Sequence, residues 1–254
     1  PRRCKFFSEC NAFASYQIPY SKLSLCQDHF IANVQKRVKK IIEKKHMFHP
    51  QRNEKVLVAA SGGKDSQVLL HILKSIYPEY LEIHALYIDL GIEKRAYSPD
   101  SVKIAQDYCD KLQIPFHVID ISKTYGMTID SIYDLWQTYR HNHWISDKTS
   151  FRGMCAYCGS FKRYNINKYA NDHEFTAVAT GHNLTDETTQ LVNNFFNMKL
   201  QFMENTGPVN DSELEAFVPR VKPLFYITEE QIMMYAYFLQ IPHNPTECPY
   251  SVKA

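Results

Sequence analysis

The residues Ser61–Ser66 read Ser-Gly-Gly-Lys-Asp-Ser, a composition that suits a loop in contact with phosphate. They follow the apolar run Val56–Ala60, which is short and rich in valine, as a buried parallel strand is. An amphipathic helical pattern, Val68–Ile76, comes next. In a strand–turn–helix unit of this kind, backbone N–H groups and the helix N-terminus hold the phosphate. The spacing excludes a Walker A loop, because the four-residue spacer between glycines is missing and Lys64 is followed by Asp65.

A second group of chemically active residues is built on cysteine. Cys155 and Cys158 form a Cys-x-x-Cys pair, and Cys248 stands far from them in the sequence. Such a pair occurs in zinc, thioredoxin-type redox and iron–sulfur sites. The pair does not follow a predicted strand, which disfavours the thioredoxin type, and a zinc site would need a fourth donor. Three cysteines suit a 4Fe–4S cluster with one iron free of protein ligands, whereas an electron-transfer cluster is usually fully ligated.

A third group of candidate ligands lies within the first 29 residues. Its members are Cys4, Cys10, Cys26 and His29, and the closing Cys-x-x-His pair has an ordinary zinc-ligand spacing. Four ligands in so short a segment predict a closed structural zinc site, which would stabilise a segment too small to fold by apolar burial alone. The opening Cys-x5-Cys pair is wider than usual, so Cys4 fits the pattern least. Free cysteines beside a surface histidine are the alternative.

Composition narrows the class of protein. The 254 residues are 44% hydrophobic, enough for a full core in one large domain or two, and the formal net charge of +2 predicts no global basic field. Seven cysteines, with no signal peptide and no long apolar run, favour metal ligation and a cytoplasmic protein without a membrane span.

One segment is locally basic. A helix is predicted over residues 27–46, with Phe30, Val34, Val38 and Ile41 as its apolar stripe. The other side of this helix carries the basic residues Lys36, Arg37, Lys39, Lys40, Lys44 and Lys45. This side is either a solvated helix face or a contact for the phosphate backbone of a nucleic acid.

From residue 55 the pattern alternates strand and helix, which predicts an α/β fold with a parallel sheet and helices on both faces. Further strands are predicted over Leu81–Asp89, Phe116–Ile121 and Phe175–Thr180. Helices are predicted to begin at Ser98-Pro99, as N-cap and first helical residue, and at the capping box of Thr228. The stretch 198–220 is interpreted as a surface loop.

Parallel sheets bind ligands beyond the carboxyl ends of their strands. The loop at 61–66, Asp89 after the second predicted strand, and Gly181-His182-Asn183 after the fourth would all lie on that edge. We therefore expect the nucleotide pocket there.

Several further motifs follow one another along the chain, each occurring once. They are Cys155-x-x-Cys158-Gly159-x-Phe161-Lys162, Thr180-Gly181-His182-Asn183-Leu184-x-Asp186-Glu187, Lys222-Pro223-Leu224 and Cys248-Pro249-Tyr250. With the glycine-rich loop, this order resembles the PP-loop ATPase superfamily, in its branch of tRNA 2-thiouridine synthetases, the archaeal and bacterial relatives of the cytosolic wobble-uridine thiolases. The resemblance covers nearly the whole chain. It implies an adenine-nucleotide α-hydrolase fold with a zinc-binding module at 1–29, a basic linker helix at 30–54 and a catalytic domain at 55–254.

The resemblance also implies a two-step reaction. ATP would be cleaved between its α and β phosphates with Mg²⁺ as counter-charge, so that the uracil C2 oxygen becomes adenylated. Sulfur carried on the open iron of the cluster would then displace AMP, giving 2-thiouridine at the wobble or T-loop position of tRNA. The implied nucleotide-binding residues are Ala59, Ser61, Gly62, Gly63, Lys64, Asp65, Ser66, Asp89, Gly181 and His182. The implied metal ligands are Cys155, Cys158 and Cys248 for the cluster, and Cys4, Cys10, Cys26 and His29 for Zn²⁺.

Lys162 and Asp186 are the candidate catalytic residues. If a helix begins near Cys158, Lys162 lies four residues on and shares its face. A cation there would stabilise charge developing at the carbonyl or the phosphate. Asp186 would assist by proton transfer or by orienting Lys162, although a carboxylate at a helix N-terminus is also simply favoured by the helix dipole.

The resemblance leaves rival interpretations. A tRNA 2-thiocytidine synthetase shares the Cys-x-x-Cys pair and the cluster but lacks the N-terminal zinc module. A non-catalytic RNA-binding zinc and iron–sulfur protein would not need an intact glycine-rich loop. The zinc ribbon that the family carries after the third cluster cysteine is absent after Cys248. The implied partners are tRNA, a sulfur donor (sulfide or a ubiquitin-like thiocarboxylate protein) and a second copy of the chain in a homodimer.

Overall fold

A computed structural model describes residues 2–6, 10–49, 54–141, 153–203, 206–210 and 217–251. An antiparallel hairpin, β1 (Tyr16–Ile18) and β2 (Leu23–Leu25), precedes the main sheet. The strands of the main sheet are β3 (Glu54–Ala60), β4 (Leu81–Asp89), β5 (Phe116–Asp120), β6 (Ala177–Ala179), β7 (Val209–Asn210) and β8 (Arg220–Val221). Their order is β5-β4-β3-β6-β8-β7, and of the described strands in this sheet only β7 is antiparallel to its neighbour. The prediction of an α/β fold with a parallel sheet is confirmed.

Helices cover both faces of the sheet. They are α1 (Gln27–Lys44), α2 (Lys64–Ile76), α3 (Tyr97–Leu112), α4 (Ile121–Tyr125), α5 (Ile129–His141), α6 (Met154–Asp172), α7 (Leu184–Phe196) and α8 (Glu229–Leu239). Because side chains alternate along a strand, Val56 and Val58 enter one hydrophobic cluster and Leu57 the other. The first cluster lies against α1, α2 and α8, and the second against α6.

The strand order fixes the position of a crevice. Chain connections from β3 run outward to β4 and β5 on one side, while β6 and β8 lie on the other side. The loops that follow β3 and β6 therefore diverge at adjacent strand ends, which is where open parallel sheets bind ligands. The glycine-rich loop and Gly181-His182-Asn183 are those two loops.

The N-terminal hairpin and α1 share the main core. Leu25 of the hairpin and Phe30, Val34 and Val38 of α1 have no exposed surface, and they belong to the same cluster as Val56 of β3. Residues from all three predicted segments, 1–29, 30–54 and 55–254, therefore contribute to one hydrophobic cluster.

Three local predictions are wrong in detail. Helix α3 begins at Tyr97, because Ser98 is buried and its Oγ accepts a hydrogen bond from the Ile92 N–H at 3.1 Å instead of capping a helix. Strand β5 ends at Asp120, whose carboxylate accepts a hydrogen bond from the Ser122 N–H at 2.8 Å and starts α4 at Ile121. The stretch 198–220 is not only a surface loop, since β7 and the first residue of β8 lie in it.

Candidate active site and metal centres

The glycine-rich loop is held in one shape by its own side chains. Gly62 has a φ of 73°, and a Cβ atom there would lie 2.6 Å from the carbonyl oxygen of Ser101, so a larger residue is excluded. Ser66 Oγ accepts a hydrogen bond from the Ser61 N–H at 3.2 Å and donates one to the Gly63 carbonyl at 3.0 Å. Helix α2 begins directly after Gly63. Its N-terminus is therefore a preformed anion-binding position.

Lys64 faces two carboxylates. Its Nζ lies 2.8 Å from Glu229 Oε1 at the start of α8 and 3.3 Å from Asp65 Oδ2. Burial disfavours the charged amine, but the hydrogen bond to Glu229 and the two carboxylate charges outweigh it and raise the pKa of Lys64. The lysine therefore carries its positive charge and ties the loop to α8.

The loop after β6 packs directly on the glycine-rich loop. A Cβ atom on Gly181 would lie 3.0 Å from the Asp65 carbonyl carbon and 3.1 Å from the Ser66 nitrogen. Asn183 donates a hydrogen bond to Asp65 Oδ1 at 3.1 Å and caps α7 by accepting hydrogen bonds from the Thr185 and Asp186 N–H groups. One asparagine thus joins the two loops that meet at the crevice.

A cavity of about 710 Å³ opens between these loops, α6 and α7. Of the residues predicted from the sequence, Ala59, Ser61, Asp65, Ser66, Lys162, Gly181, His182 and Asp186 line it. Gly62, Gly63 and Lys64 lie in the adjoining loop rather than in the cavity wall, and Asp89 uses its Oδ1 to accept a hydrogen bond from the Gly91 N–H at 2.9 Å. The cavity brings the two candidate catalytic residues to the phosphate-binding loop.

Burial sets the charge of two cavity residues. It lowers the pKa of His182, with the positive charge of Lys222 acting in the same direction, so the imidazole is neutral at neutral pH. Burial raises the pKa of Asp186, partly opposed by the hydrogen bond that its carboxylate accepts from the Asn183 N–H at 3.2 Å. That hydrogen bond is half of a capping box, so Asp186 has a structural role at the start of α7 as well as a place in the cavity.

The cavity also contains charged residues to which the sequence analysis assigned no role, although Glu187 and Lys222 stand in the quoted motifs. Lys222 Nζ lies 2.8 Å from Glu187 Oε2, both side chains are buried, and the second oxygen of Glu187 has no partner among the described residues. Arg163 and Arg220 complete the basic wall. The available signal was positional, because Arg220 and Lys222 lie in or directly after β8, whose carboxyl end faces the same crevice.

Helix α6 carries Cys155 and Cys158 next to the cavity. Together with Cys248 we call them the three central cysteines. It begins at Met154 rather than near Cys158, so Cys155, Cys158 and Lys162 follow at helical steps of three and four residues on one side. Cys155 is exposed, and Cys158 and Cys248 are half-buried. Burial raises the pKa of the Cys158 thiol to about 11, the charge of Lys162 opposes this, and Cys248 and Cys155 act in the same direction as burial.

The three central cysteines fit an iron–sulfur cluster. Thiolate sulfur is the ligand type that such clusters require. Cys155 Sγ lies 3.8 Å from the carbonyl oxygen of Tyr250, which places the chain around Cys248 beside α6. A cubane holds its ligands at separate corners, so its cysteines do not need to touch one another.

The N-terminal ligands fit zinc. The donor atoms of Cys4, Cys10, Cys26 and His29 all lie within 4.8 Å of one another. His29 Nδ1 is 3.2 Å from Cys4 Sγ and 3.3 Å from Cys26 Sγ. Cys4, which fits the sequence pattern least, is therefore part of the group. Three sulfur donors and one imidazole form a set typical of closed structural zinc sites.

Not all of the basic residues on α1 face solvent. Arg37 donates hydrogen bonds to Gln231 Oε1 at 3.0 Å and to the Tyr226 carbonyl, so it belongs to the contact with α8. The lysines Lys36, Lys39, Lys40, Lys44 and Lys45 are exposed. Among the described residues, none of the helices has the length and apolar character that a membrane span needs.

The chain is similar to known proteins along nearly its whole length. The PP-loop domain family matches residues 31–245. The tRNA-5-methyluridine(54) 2-sulfurtransferase of Pyrococcus horikoshii is 34% identical over 249 residues, which cover 98% of this chain and 72% of that protein. The tRNA 2-thiolation protein NcsA of Haloferax volcanii is 30% identical over 258 residues, covering 97% of this chain and 76% of that protein. Cytoplasmic tRNA 2-thiolation protein 1 of Drosophila melanogaster is 32% identical over 254 residues, covering 99% and 68%.

One solved structure shares the fold over nearly the whole chain. It is the U34-tRNA thiolase NcsA from Methanococcus maripaludis with its 4Fe–4S cluster. The TM-score is 0.80 and the identity 24%, with 99% of this chain and 77% of that chain covered.

Proposed function

The chain belongs to the PP-loop family of tRNA 2-thiolation proteins, and from that premise we propose that it is a tRNA uridine 2-thiolase. The observation that carries the proposal is the single cavity in which the glycine-rich loop, Lys162 and Asp186 meet beside Cys155. A nucleotide and a uracil can react there within reach of a sulfur source.

The glycine-rich loop binds the phosphates of ATP. The N-terminus of α2 and the hydroxyls of Ser61 and Ser66 supply donors to the phosphate oxygens. Mg²⁺ fits the same place, because Asp65 offers the carboxylate oxygen that this ion prefers and lines the cavity. Lys64 holds the loop against α8 and adds positive charge.

Adenylation makes the oxygen on C2 of uracil a leaving group. The C2 oxygen attacks the α-phosphorus, a new O–P bond forms and pyrophosphate leaves. Lys162 stabilises the negative charge that builds up on the phosphate oxygens as the O–P bond forms, an effect of ~3 kcal/mol for one well-placed donor. Neutral His182 donates or accepts a hydrogen bond without adding charge, and the carboxyl group of Asp186 takes or returns a proton within the cavity.

The second step exchanges oxygen for sulfur. When bound to Cys155, Cys158 and Cys248, a 4Fe–4S cluster with one open iron supplies the sulfur atom that reaches C2. Formation of the C–S bond and release of AMP restore the ring as 2-thiouracil, so one ATP is converted to AMP and pyrophosphate in each turnover. The basic side chains of Arg163, Arg220 and Lys222, which line the cavity, bind the phosphate group of the departing AMP.

Zinc has a structural role in this proposal. The ion is bound by Cys4, Cys10, Cys26 and His29, which fill its four coordination positions. These ligands lie far from the cavity residues in the sequence. The substrate is tRNA, and the sulfur donor is sulfide or a ubiquitin-like thiocarboxylate protein. The relatives named cytoplasmic tRNA 2-thiolation protein 1 support a cytoplasmic location.

A second copy of the chain covers one exposed apolar surface. Phe196 is 78% and Met198 77% exposed, and Leu191, Val192, Phe195, Leu200 and Phe202 are exposed beside them. At ~200 Å² for each aromatic side chain, the exposed parts of Phe195, Phe196 and Phe202 offer roughly 400 Å², about half of the ~800 Å² that each partner gives to a standard interface, and the aliphatic side chains add to this area. Between Thr188 and Met203 the one charged residue is Lys199, so the surface has the low charge that is typical of an interface core.

Sedimentation velocity tests the homodimer. The double variant Phe196→Lys, Met198→Lys should be monomeric. The control is Tyr237→Lys, which changes a residue on α8 that is 72% exposed and should leave the dimer intact. A monomer for the unmodified chain at all concentrations contradicts the proposal.

Release of pyrophosphate tests the adenylation step. With ATP, Mg²⁺ and unmodified tRNA, the protein should release pyrophosphate and AMP in a tRNA-dependent manner. An intact protein that binds tRNA but releases no pyrophosphate would be an RNA-binding protein without this activity.

A further inference from the structure

Three distant segments of the chain meet at Tyr250, two residues after Cys248. The Tyr250 hydroxyl donates a hydrogen bond to Asp130 Oδ1 at 2.6 Å, and its ring lies 4.8 Å from the ring of Tyr133. Lys94 Nζ lies 4.4 Å from the Tyr133 ring centroid and 4.9 Å from that of Tyr250. We name Lys94, Asp130, Tyr133 and Tyr250 the tail clasp.

Asp130 uses both of its carboxylate oxygens in the clasp. While Oδ1 accepts from Tyr250, Oδ2 accepts a hydrogen bond from the Glu93 N–H at 2.9 Å. An O–H donor on a carboxylate at this distance is a strong, charge-assisted hydrogen bond. Tyr250 is 9% exposed and belongs to the second hydrophobic cluster, so water competes little for that bond.

The clasp holds the one central cysteine that no helix positions. Cys155 and Cys158 are fixed relative to each other by α6, whereas Cys248 lies outside the helices. The Ser251 N–H donates to the Cys248 carbonyl at 3.0 Å, and the Tyr250 carbonyl oxygen lies 3.8 Å from Cys155 Sγ. Anchoring Tyr250 therefore anchors the short turn that carries Cys248.

The segment that supplies Lys94 has an unusual backbone. Arg95 and Ala96 both have a positive φ, at 59° and 51°. Two such residues in succession cost free energy, and strain of this kind is kept where a site depends on it. The turn directs Lys94 to the two tyrosine rings and then starts α3 at Tyr97.

We propose that Asp130 and Tyr250 are positioning residues for the third cluster ligand, Cys248. This inference rests on the cluster of the proposed function. Neither residue touches the reacting atoms; the clasp fixes where the third sulfur stands relative to the first two. Pre-positioned ligands retain a metal group longer than ligands on a free tail, because less ordering is needed for each rebinding.

The test compares Tyr250→Phe and Asp130→Asn with the unmodified protein after anaerobic reconstitution. In the presence of an iron chelator, both variants should lose iron and release sulfide about tenfold faster than the unmodified protein, a factor that corresponds to ~1.4 kcal/mol. The electron paramagnetic resonance signal of the reduced cluster should also change, a readout that a general loss of stability does not move. ATP binding should stay unchanged, since the glycine-rich loop lies outside the clasp.

Tyr125→Phe is the matched control. It removes one tyrosine hydroxyl that donates to Asn165 Oδ1 at 2.7 Å, and the Tyr125 ring packs against the same cluster of the core. Equal rates of iron loss in Tyr250→Phe, Tyr125→Phe and unmodified protein would overturn the proposal.

A metal-free measurement separates the clasp from the cluster. Hydrogen exchange at the Ser251 amide should rise at least tenfold in metal-free Tyr250→Phe and stay unchanged in Tyr125→Phe; unchanged exchange in Tyr250→Phe would overturn the clasp. Failure of the unmodified protein to take up iron would instead contradict the proposed function.

Discussion

Helices α1 and α6 are built from similar parts and differ in what they bury. Each begins at cysteines, with Cys26 as the N-cap of α1 and Cys155 in the first turn of α6. Each then carries basic residues. Helix α1 buries a complete apolar stripe, with Phe30, Val34 and Val38 fully covered. The buried residues of α6 are Met154, Asn165, Ile166 and Ala170, and the cavity is lined by Ile166 together with Gly159, Lys162 and Arg163.

This difference separates a structural metal site from a reactive one. At α1, which buries its apolar stripe, Cys26 and His29 converge with Cys4 and Cys10, and the lysines of the helix face solvent. At α6, which lines the cavity, Cys155 and Cys158 follow each other along the helix, and Lys162 faces the cavity. The spacing Cys-x-x-His or Cys-x-x-Cys alone does not decide between these outcomes; at the N-terminal site the hairpin brings Cys4 and Cys10 to Cys26 and His29.

The largest expected effect lies in the open site. Cys155→Ala should abolish both the broad cluster absorbance and 2-thiouridine formation, because a cluster ligand is lost, while the thermal unfolding midpoint stays close to that of unmodified protein. Reconstitution followed by absorbance, iron analysis and product assay measures this. Thiolation that survives without a cluster would contradict the division between the two helices.

The corresponding change in the closed site should act on stability. Cys26→Ala removes one of four converging ligands, so zinc is lost together with the cross-link between the N-terminal segment and the start of α1. We expect several kcal/mol of lost stability, given that zinc binding in small sites is worth ~10 kcal/mol or more before competing terms. Zinc analysis and denaturant unfolding measure it. An unchanged unfolding midpoint in a zinc-free variant would show that the site is not structural.

Lys162 sharpens the comparison within α6. Lys162→Ala should lower turnover about 100-fold, corresponding to roughly 3 kcal/mol of transition-state stabilisation, with cluster content and tRNA affinity retained. Lys168→Ala on the same helix is the control, since Lys168 pairs with exposed Asp172 at 2.6 Å outside the cavity. Equal turnover in the two variants would remove Lys162 from the reaction.

The smallest expected effect concerns the exposed lysines of α1. Replacing Lys39 and Lys40 by glutamine should weaken tRNA binding and reduce the slope of log affinity against log salt by up to about two phosphate contacts. Lys39 Nζ lies 3.9 Å from Glu43 Oε1, and both side chains are exposed. An exposed ion pair of this kind is weak, so Lys39 can exchange Glu43 for a phosphate group. The control replaces Lys103 and Lys111, exposed on α3. An unchanged slope would return this face of α1 to the solvent.

Local patterns predicted the parts of the fold that local interactions determine. The strand, glycine-rich turn and helix around Ser61 follow from residue types within one segment, and the Thr228 capping box forms as predicted, with Gln231 closing it. Helix α1 ends at Lys44, two residues before its predicted end. The residue types of these elements predict them without knowledge of their neighbours, even though β3 pairs with β4 and β6 in the sheet.

Non-local contacts account for what sequence reasoning missed. The two residues of β8 form a strand only because β6 and β7 lie beside them, and that pairing brings Arg220 and Lys222 to the cavity. Ser98 fails as an N-cap because its hydroxyl is used by Ile92 across a turn. Cys4 joins the zinc ligands because β1 and β2 fold the segment back, which its spacing to Cys10 does not reveal.

The most direct test is nucleoside mass spectrometry of unmodified tRNA after anaerobic incubation with cluster-loaded protein, ATP, Mg²⁺ and sulfide. We predict 2-thiouridine that depends on ATP and on Cys155, and mapping of the modified fragment identifies its position. 2-Thiocytidine in its place would contradict the assignment as a uridine 2-thiolase. If protein that holds an intact cluster and releases pyrophosphate gives no thiolated nucleoside, either with sulfide or with a thiocarboxylate protein, the assignment is contradicted as well.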